Sequence, residues 1–349
     1  MDALISPRRR RFVTAVGAAS LLAACGPSRD GGGAAEFRGP AMGSGYVVKL
    51  AGRDASRLVQ RAHEAVREAL AAVEARMSSW LADSELSRFN RHASTRPFGL
   101  SADTFAVVAL AQRVAEATGG AFDATIAPAV DAWGFGPGRA HRVVDDAERD
   151  AIARRIGHRA LALDAATRSA RKGHPELALD LAGIAKGYAV DRAAEALDAA
   201  GCDRYMVEAG GEVRTRGVNA EGAPWRIGIE QPDAVPQRPH LVVPLSGLAL
   251  ATSGDYRIYF ERDGRRYCHE IDPARGAPVE HALASATVAA DACAYADAMA
   301  TALMVMGPER AQQFAAKHGI AAYFIVREQG GLRGFASPAF ARLPALPAA

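Results

Sequence analysis

The sequence predicts an α+β domain of mixed, mostly antiparallel strands packed with long amphipathic helices. Three observations carry this. Arg57 to Met77 and Ala102 to Thr118 place apolar residues at helical spacing, with Leu58, Ala62, Val66, Leu70 and Val73 in the first. From Trp225 onward the texture changes to short strand-like runs, and Asp263-Gly264 between two of them is a two-residue hairpin signal. Strands and helices never settle into the βαβ rhythm of a doubly wound sheet, and no repeat of fixed period runs through the chain.

The N-terminus comes first in order. Arg8-Arg-Arg-Arg-Phe12 precedes an apolar run, Val13 to Ala24, that is too short to span a bilayer. A basic segment followed by a short apolar one is an export signal, of the Sec or the twin-arginine kind. The run ends Leu22-Ala-Ala-Cys25-Gly26, which resembles the lipobox of bacterial lipoproteins, where the cysteine is lipidated and becomes the new N-terminus. Residues 1–25 therefore read as a signal peptide, 26–36 as a flexible tether rich in glycine, and 37–343 as the globular domain. An acyl anchor on Cys25 plus a tether would hold that domain at a membrane surface.

Composition narrows the function. With 49% hydrophobic and 23% charged residues, the 349-residue chain can bury one large core or two modest ones. The formal charge of +3 comes from the first 25 residues; the remainder balances 38 basic against 38 acidic side chains. No basic field is left for nucleic acid. Cys202, Cys268 and Cys293 are odd in number and form no CxxC, so they read as buried free thiols.

Along the domain, Ser44 to Leu50 reads as a strand preceded by Ala41-Met42-Gly43. Trp80 falls in the loop after the first helix, as a core plug or a stacking surface, and Asp83 or Ser84 caps a short helix. Gly119-Gly120 stops the second long helix and opens a glycine- and aromatic-rich loop through Ala121-Phe-Asp123 to Pro137. Asp145 to Ile156 reads as helix, Ala160 to Leu163 and Leu177 to Leu179 as strands, and Ile184 to Ala200 as helix. Tyr205 to Glu208 is a strand running into Gly210-Gly211. Strands then follow at Arg226–Glu230, Leu241–Pro244, Leu248–Thr252, Arg257–Glu261, Arg266–Ile271 and Ser285–Ala289. Helices Ala294–Met306 and Pro308–His318 and a strand pair, Ala321–Val326 with Leu332–Ala336, close the domain.

Three segments carry chemistry. Asp180-Leu-Ala-Gly-Ile-Ala-Lys-Gly-Tyr188 reads as strand, glycine turn and helix, which aims the N–H groups of a helix start at an anion. Lys186 in that first turn opposes the helix dipole, so an anionic ligand would explain it; an ordinary connection with a solvent-facing lysine would look the same. Asp297 and Thr301 lie four apart on a helix otherwise lined with Ala, Met and Leu, giving two hard oxygen donors for Mg²⁺ or Ca²⁺. A carboxylate stabilising the helix N-terminus is the plainer alternative. His269 follows a hairpin strand, as a general base or a structural histidine. No Walker loop, GxGxxG after a strand, GxSxG elbow or HExxH is present.

Taken together these segments resemble a family. In chain order they are Met42-Gly43, Met77-Ser-Ser-Trp80 with Asp83-Ser-Glu-Leu-Ser-Arg-Phe-Asn90, Gly120-Ala-Phe-Asp123 and Trp133-Gly-Phe-Gly136. Then come Asp180 to Tyr188, Gly210-Gly211, Thr252-Ser-Gly-Asp-Tyr256, His269-Glu-Ile-Asp-Pro273 and Ala296-Asp-Ala-Met-Ala-Thr301. The chain thereby resembles the bacterial FAD:protein FMN transferases, the flavin-transferring lipoproteins of the ApbE family, from about Met42 to Gly307. The resemblance implies the ApbE-like fold and an Mg²⁺-dependent enzyme. Such an enzyme takes FAD as substrate, transfers FMN to a threonine or serine hydroxyl of an acceptor protein and releases AMP. It places Met42, Trp80, Ala121, Phe122, Asp123, Asp180, Lys186 and Ile271 at FAD. It places Asp297, Thr301 and the Gly183 carbonyl at the metal, and His269 as the base. The expected acceptor is a flavoprotein subunit of a membrane redox complex, reached from the periplasmic side of the bacterial inner membrane. Trp80 stands where tyrosine is more usual, and Trp80 and Phe122 are the flat surfaces available to the flavin and adenine rings. A bulky ring over the site would restrict water, favouring transfer over an FAD hydrolase yielding FMN and AMP. A non-catalytic FAD carrier would need neither base nor metal.

Overall fold

An antiparallel sheet of eight strands organises the chain in the computed structural model, which describes residues 33–344 and 346–347. The signal peptide and most of the tether fall outside the described residues. Across the sheet the strands lie in chain order: Ala34–Ala41, Ser44–Ala51, Tyr205–Ala209, Glu212–Arg216, Ala249–Gly254, Leu283–Ala290, Ala321–Glu328 and Gly331–Ala336. Every neighbouring pair is antiparallel. Tight turns join three of the pairs, and the other connections are long excursions.

The first excursion holds helices α1 (Ala55–Met77), α2 (Glu85–Arg91), α3 (Ala102–Ala117), α4 (Ala127–Trp133), α5 (Asp146–Ala153) and α6 (Ala182–Ala199). The last holds α7 (Cys293–Met306) and α8 (Pro308–His318). Side chains alternate across the strands, so each strand feeds two cores. Val48, Val207, Ala251, Val288 and Phe324 pack beneath α1, α6 and α7. Met206, Leu250, Ala289 and Ile325 point the other way, onto Trp225, Ile227, Ile229, Val243 and Leu245 of a three-stranded sheet. With both faces covered, the central strands are buried on both sides, as Leu283–Ala290 shows.

Sequence expectations for α1, α3, α7 and α8 hold to within two residues. Asp263-Gly264 forms its hairpin turn, with both φ values positive. Four differences have physical reasons. The first strand begins at Ala34, taking in the last three residues read as tether, and Leu346–Pro347 pairs with Pro239–Leu245 beyond residue 343. Part of the aromatic-rich loop is helix α4, started by Pro128 in its first turn and stopped by Gly134 at φ 86°. Leu177 to Leu179 is no strand: the main chain of Leu179 bonds the Asn90 side chain and not another strand. Helix α6 starts at Ala182, so Gly183 lies in the helix rather than in a turn before it.

Candidate active site

Helices α6 and α7 cross at small residues. A Cβ on Gly183 would stand 2.9 Å from Thr301 Oγ1; one on Gly187 would stand 2.4 Å from the Cys293 carbonyl oxygen and 2.8 Å from Asp297 Cβ. This closeness lets the Gly187 N–H donate to Asp297 Oδ2 at 2.9 Å. One turn along α7, Thr301 Oγ1 shares a 3.0 Å hydrogen bond with Ser253 Oγ from the sheet. The helical spacing seen in sequence thus aligns two pairs, Gly183 with Thr301 and Gly187 with Asp297.

Charge gathers at the same crossing. Lys186 forms an ion pair with the buried Glu212, which follows the Gly210-Gly211 turn. Gly210, at φ 66°, lies against both the Lys186 stem and Ser44 Oγ, which brings the Met42-Gly43 turn alongside. Met42 and Gly43 both have positive φ, 50° and 74°, the two-residue turn whose twist matches a hairpin. Methionine is unusual in that conformation, and such strain collects at functional sites.

Glu212, Glu270 and Asp297 are all buried within electrostatic reach of Lys186. Burial pushes the Glu270 carboxyl up to about 8, with Lys186 opposing. Burial likewise raises Glu212 and Asp297, opposed by Lys186 and, at Asp297, by the Gly187 N–H. For Lys186 burial alone would favour the neutral amine, but the charges of Glu212 and Asp297 outweigh it and hold the ammonium. Three acidic groups therefore face one lysine, and Glu212 Oε2 has no hydrogen-bond partner among the described residues. Carboxyls raised in this way keep their protons unless a cation takes the protons' place, so the cluster suits a further cation. Among the described residues no three His, Cys, Asp or Glu side chains form a metal cage. The expected donors are of another kind: one carboxylate, one hydroxyl and a main-chain carbonyl, all hard oxygens suited to Mg²⁺.

His269 lies just after the hairpin strand Arg265–Cys268. Its N–H and its ring Nδ1 both bond the Ile258 carbonyl, at 3.1 and 3.2 Å. A carbonyl only accepts, so Nδ1 carries the proton and Nε2 keeps its lone pair. Nε2 stands 3.7 Å from Glu270 Oε1. Burial in the cleft lowers the imidazole pKa to about 4; the Ile258 bond opposes this and the Lys186 charge adds to it. The side chain is still 34% exposed, so solvent moderates the shift.

The remaining expected residues divide. The Asp180 N–H donates to the Ala124 carbonyl at 2.8 Å, and its Oδ1 accepts the Ala182 N–H at 2.7 Å, linking the 121–125 loop to the start of α6. Ala121 is half-buried beside that loop. Phe122 is not the open flat surface expected: only 4% exposed, its ring edge faces Gly183 and forms the floor of the helix crossing. Both Asp123 oxygens are engaged, by the Thr125 N–H and hydroxyl and by the His158 N–H. The Ile271 side chain packs into a small core with Trp133, Ile152 and Ala277. Trp80 is 69% exposed, so it is no core plug and most of its ring faces solvent. Glu212, Glu270 and Ser253 escaped the sequence reading. The available signal for the two acids was their place beside residues already singled out, Glu212 after Gly210-Gly211 and Glu270 after His269.

This α+β domain shares its fold with solved flavin transferases. Flavin Transferase ApbE from Vibrio cholerae superimposes with a TM-score of 0.81 at 39% identity, covering 90% of this chain and 100% of that one. The apo form of the Pseudomonas stutzeri flavinyl transferase ApbE gives 0.80 at 39% identity, covering 89% and 97%. The chain belongs to the ApbE family, whose family model matches residues 42–324. A relative from Haemophilus influenzae named FAD:protein FMN transferase is 40% identical over 339 residues, 95% of this chain and 96% of that protein.

Proposed function

We propose that this protein transfers the FMN moiety of FAD to a threonine or serine hydroxyl of an acceptor flavoprotein and releases AMP. The observation that carries the reading is the pairing of a buried, cation-seeking cluster at the α6–α7 crossing with a neutral histidine whose Nε2 is free.

In this reading the Gly183 carbonyl, Asp297 and Thr301 would hold Mg²⁺. When bound, the ion supplies neutralisation of the pyrophosphate charge. Lys186 adds a second, fixed positive charge at the same place, oriented by Glu212. Met42, Asp180 and residues 121–123 would hold FAD, together with Trp80, whose ring is open to solvent, and Ile271. His269 Nε2 accepts the acceptor hydroxyl's proton as that oxygen attacks the FMN-side phosphorus. The bond to the AMP phosphate oxygen then breaks, and AMP leaves with that electron pair. Substrate charge and acceptor oxygen thus meet groups already set in place, so little reorganisation is needed at the moment of transfer.

The reading extends to place and partner. A lipidated Cys25 would tether the domain at the periplasmic face of the inner membrane, beside a flavin-carrying subunit of a membrane redox complex. No helix among the described residues is long and apolar enough to cross a membrane. Incubation of the domain with FAD, Mg²⁺ and such a subunit tests the chemistry. Acceptor mass rising by one FMN, abolished by EDTA, is the expected result; FMN and AMP released with every acceptor unlabelled would replace it with a hydrolase.

A further inference from the structure

We propose that Asn90 is a positioning residue for this site: its side-chain amide takes the place of a strand partner and sets the backbone that leads into Gly183. The proposal rests on the transferase reading for its consequence, though not for its geometry.

The segment 177–181 enters α6 without belonging to any sheet. Its three buried leucines, Leu177, Leu179 and Leu181, anchor it in the core, but the polar groups of Leu179 still need partners. Asn90 supplies both. Its Nδ2 donates to the Leu179 carbonyl at 2.8 Å, and its Oδ1 accepts the Leu179 N–H at 2.8 Å. This is the reciprocal pair that two antiparallel strands exchange, made here by one amide. Asp180 is the next residue, and Gly183 lies three beyond that.

Asn90 is itself held from two sides. It sits near the end of α2, whose start is pinned by Ser84, which accepts the Ser87 N–H at 2.9 Å and donates to the Ser78 carbonyl at 2.6 Å. Glu85, also at that start, accepts the Ser101 N–H and hydroxyl, both at 2.6 Å, and the Thr104 hydroxyl. From the other side, Lys172 Nζ donates to the Asn90 carbonyl at 3.0 Å and lies 4.8 Å above the Phe89 ring. Lys172 is 0% exposed and forms no ion pair with any carboxylate among the described residues. A buried ammonium with one carbonyl acceptor and one ring is costly to keep. Its geometry does one identifiable thing, which is to fix the main chain of the residue that clamps Leu179.

Asparagine alone fits both contacts. Aspartate keeps the size but offers only acceptors, setting an anionic oxygen against the Leu179 carbonyl. The test uses Asn90→Asp and Lys172→Met in the domain starting at Gly26. Hydrogen exchange of the 177–185 amides and FAD affinity from flavin fluorescence without metal are the readouts, followed by the Mg²⁺ dependence of turnover. In Asn90→Asp we expect exchange confined to 177–185 to quicken and FAD to bind about tenfold more weakly, the effect of losing one hydrogen bond to a buried group. Lys172→Met leaves both Leu179 contacts possible, so a smaller change in the same peptide is expected. Unchanged exchange and affinity in both variants overturn the proposal, as does exchange raised evenly over the whole domain. If Asn90→Asp fails to fold, the Lys172→Met pattern decides alone. Wild-type protein that binds FAD but labels no acceptor would sink the transferase reading, while the exchange data still judge the clamp.

Discussion

The Gly187 N–H donates to Asp297 Oδ2 across the α6–α7 crossing, a contact that exists only because position 187 has no side chain. Gly187→Ala should therefore separate the helices and break that bond. The added methyl meets main chain that cannot yield, so a net loss of about 2–3 kcal/mol is expected in urea denaturation despite the gain in helix propensity. At Gly183 the obstructing atoms are a hydroxyl and a ring edge, which can shift by a few tenths of an ångström. Gly183→Ala should fold with near-normal stability and show its effect as a raised Mg²⁺ requirement.

His269→Ala removes the proposed base. Turnover should fall by about 10²–10⁴ while FAD still binds, as read by flavin fluorescence. The pH profile carries a sign. Because the folded pKa lies below the ordinary 6.5, towards 4, the ring stays neutral to lower pH than free imidazole and the acid limb of turnover should lie well below 6.5. The unfolded chain takes up this proton first, so the group also weakens the fold as pH falls from 6.5 towards 4. A limb at or above 6.5 would count against His269.

Lys186→Met leaves Glu212, Glu270 and Asp297 with no shared cation. A stability loss of about 2–4 kcal/mol is expected, since one partner of a buried charge cluster is removed. FAD affinity should drop as well. Adding Glu212→Gln to the same protein should restore part of the stability, and that recovery in a double-mutant cycle measures the coupling of the pair.

Lys172 makes a prediction of opposite sense. Burial lowers its ammonium to about 8 from the ordinary 10.5. Between those values the unfolded chain binds the extra proton, so this group makes stability rise with pH from about 8 to 10.5 and imposes its full penalty below. Lys172→Met should therefore gain about 1–2 kcal/mol at pH 7, after discounting the lost bond to Asn90, and flatten that alkaline rise in thermal melts. A less stable variant at pH 7 would show the bond outweighing the burial.

Long periodic helices and the Asp263-Gly264 turn were legible because their signals are local. That Asp297 and Thr301 share one helix face was legible too, since a four-residue spacing is itself a statement about a helix face. The 177–179 segment was not. Its apolar alternation is that of a strand, and nothing local says that the partner is a side chain 89 residues earlier. Phe122 and Glu212 failed for the same reason in opposite directions: whether an aromatic ring is open, or an acid enclosed, depends on neighbours brought in from α6 and from the sheet.

Across the large sheet the strands stand in the order of the chain, each laid against the edge left by the one before. No strand has to be threaded between two already in place. The domain can thus assemble by accretion from its N-terminal end, as suits a chain delivered progressively, and segments between successive strands can lengthen or be exchanged without rewiring the sheet. The parts that carry the chemistry sit largely in those replaceable intervals, so this architecture leaves selection free to retune what the site accepts while the scaffold stays the same.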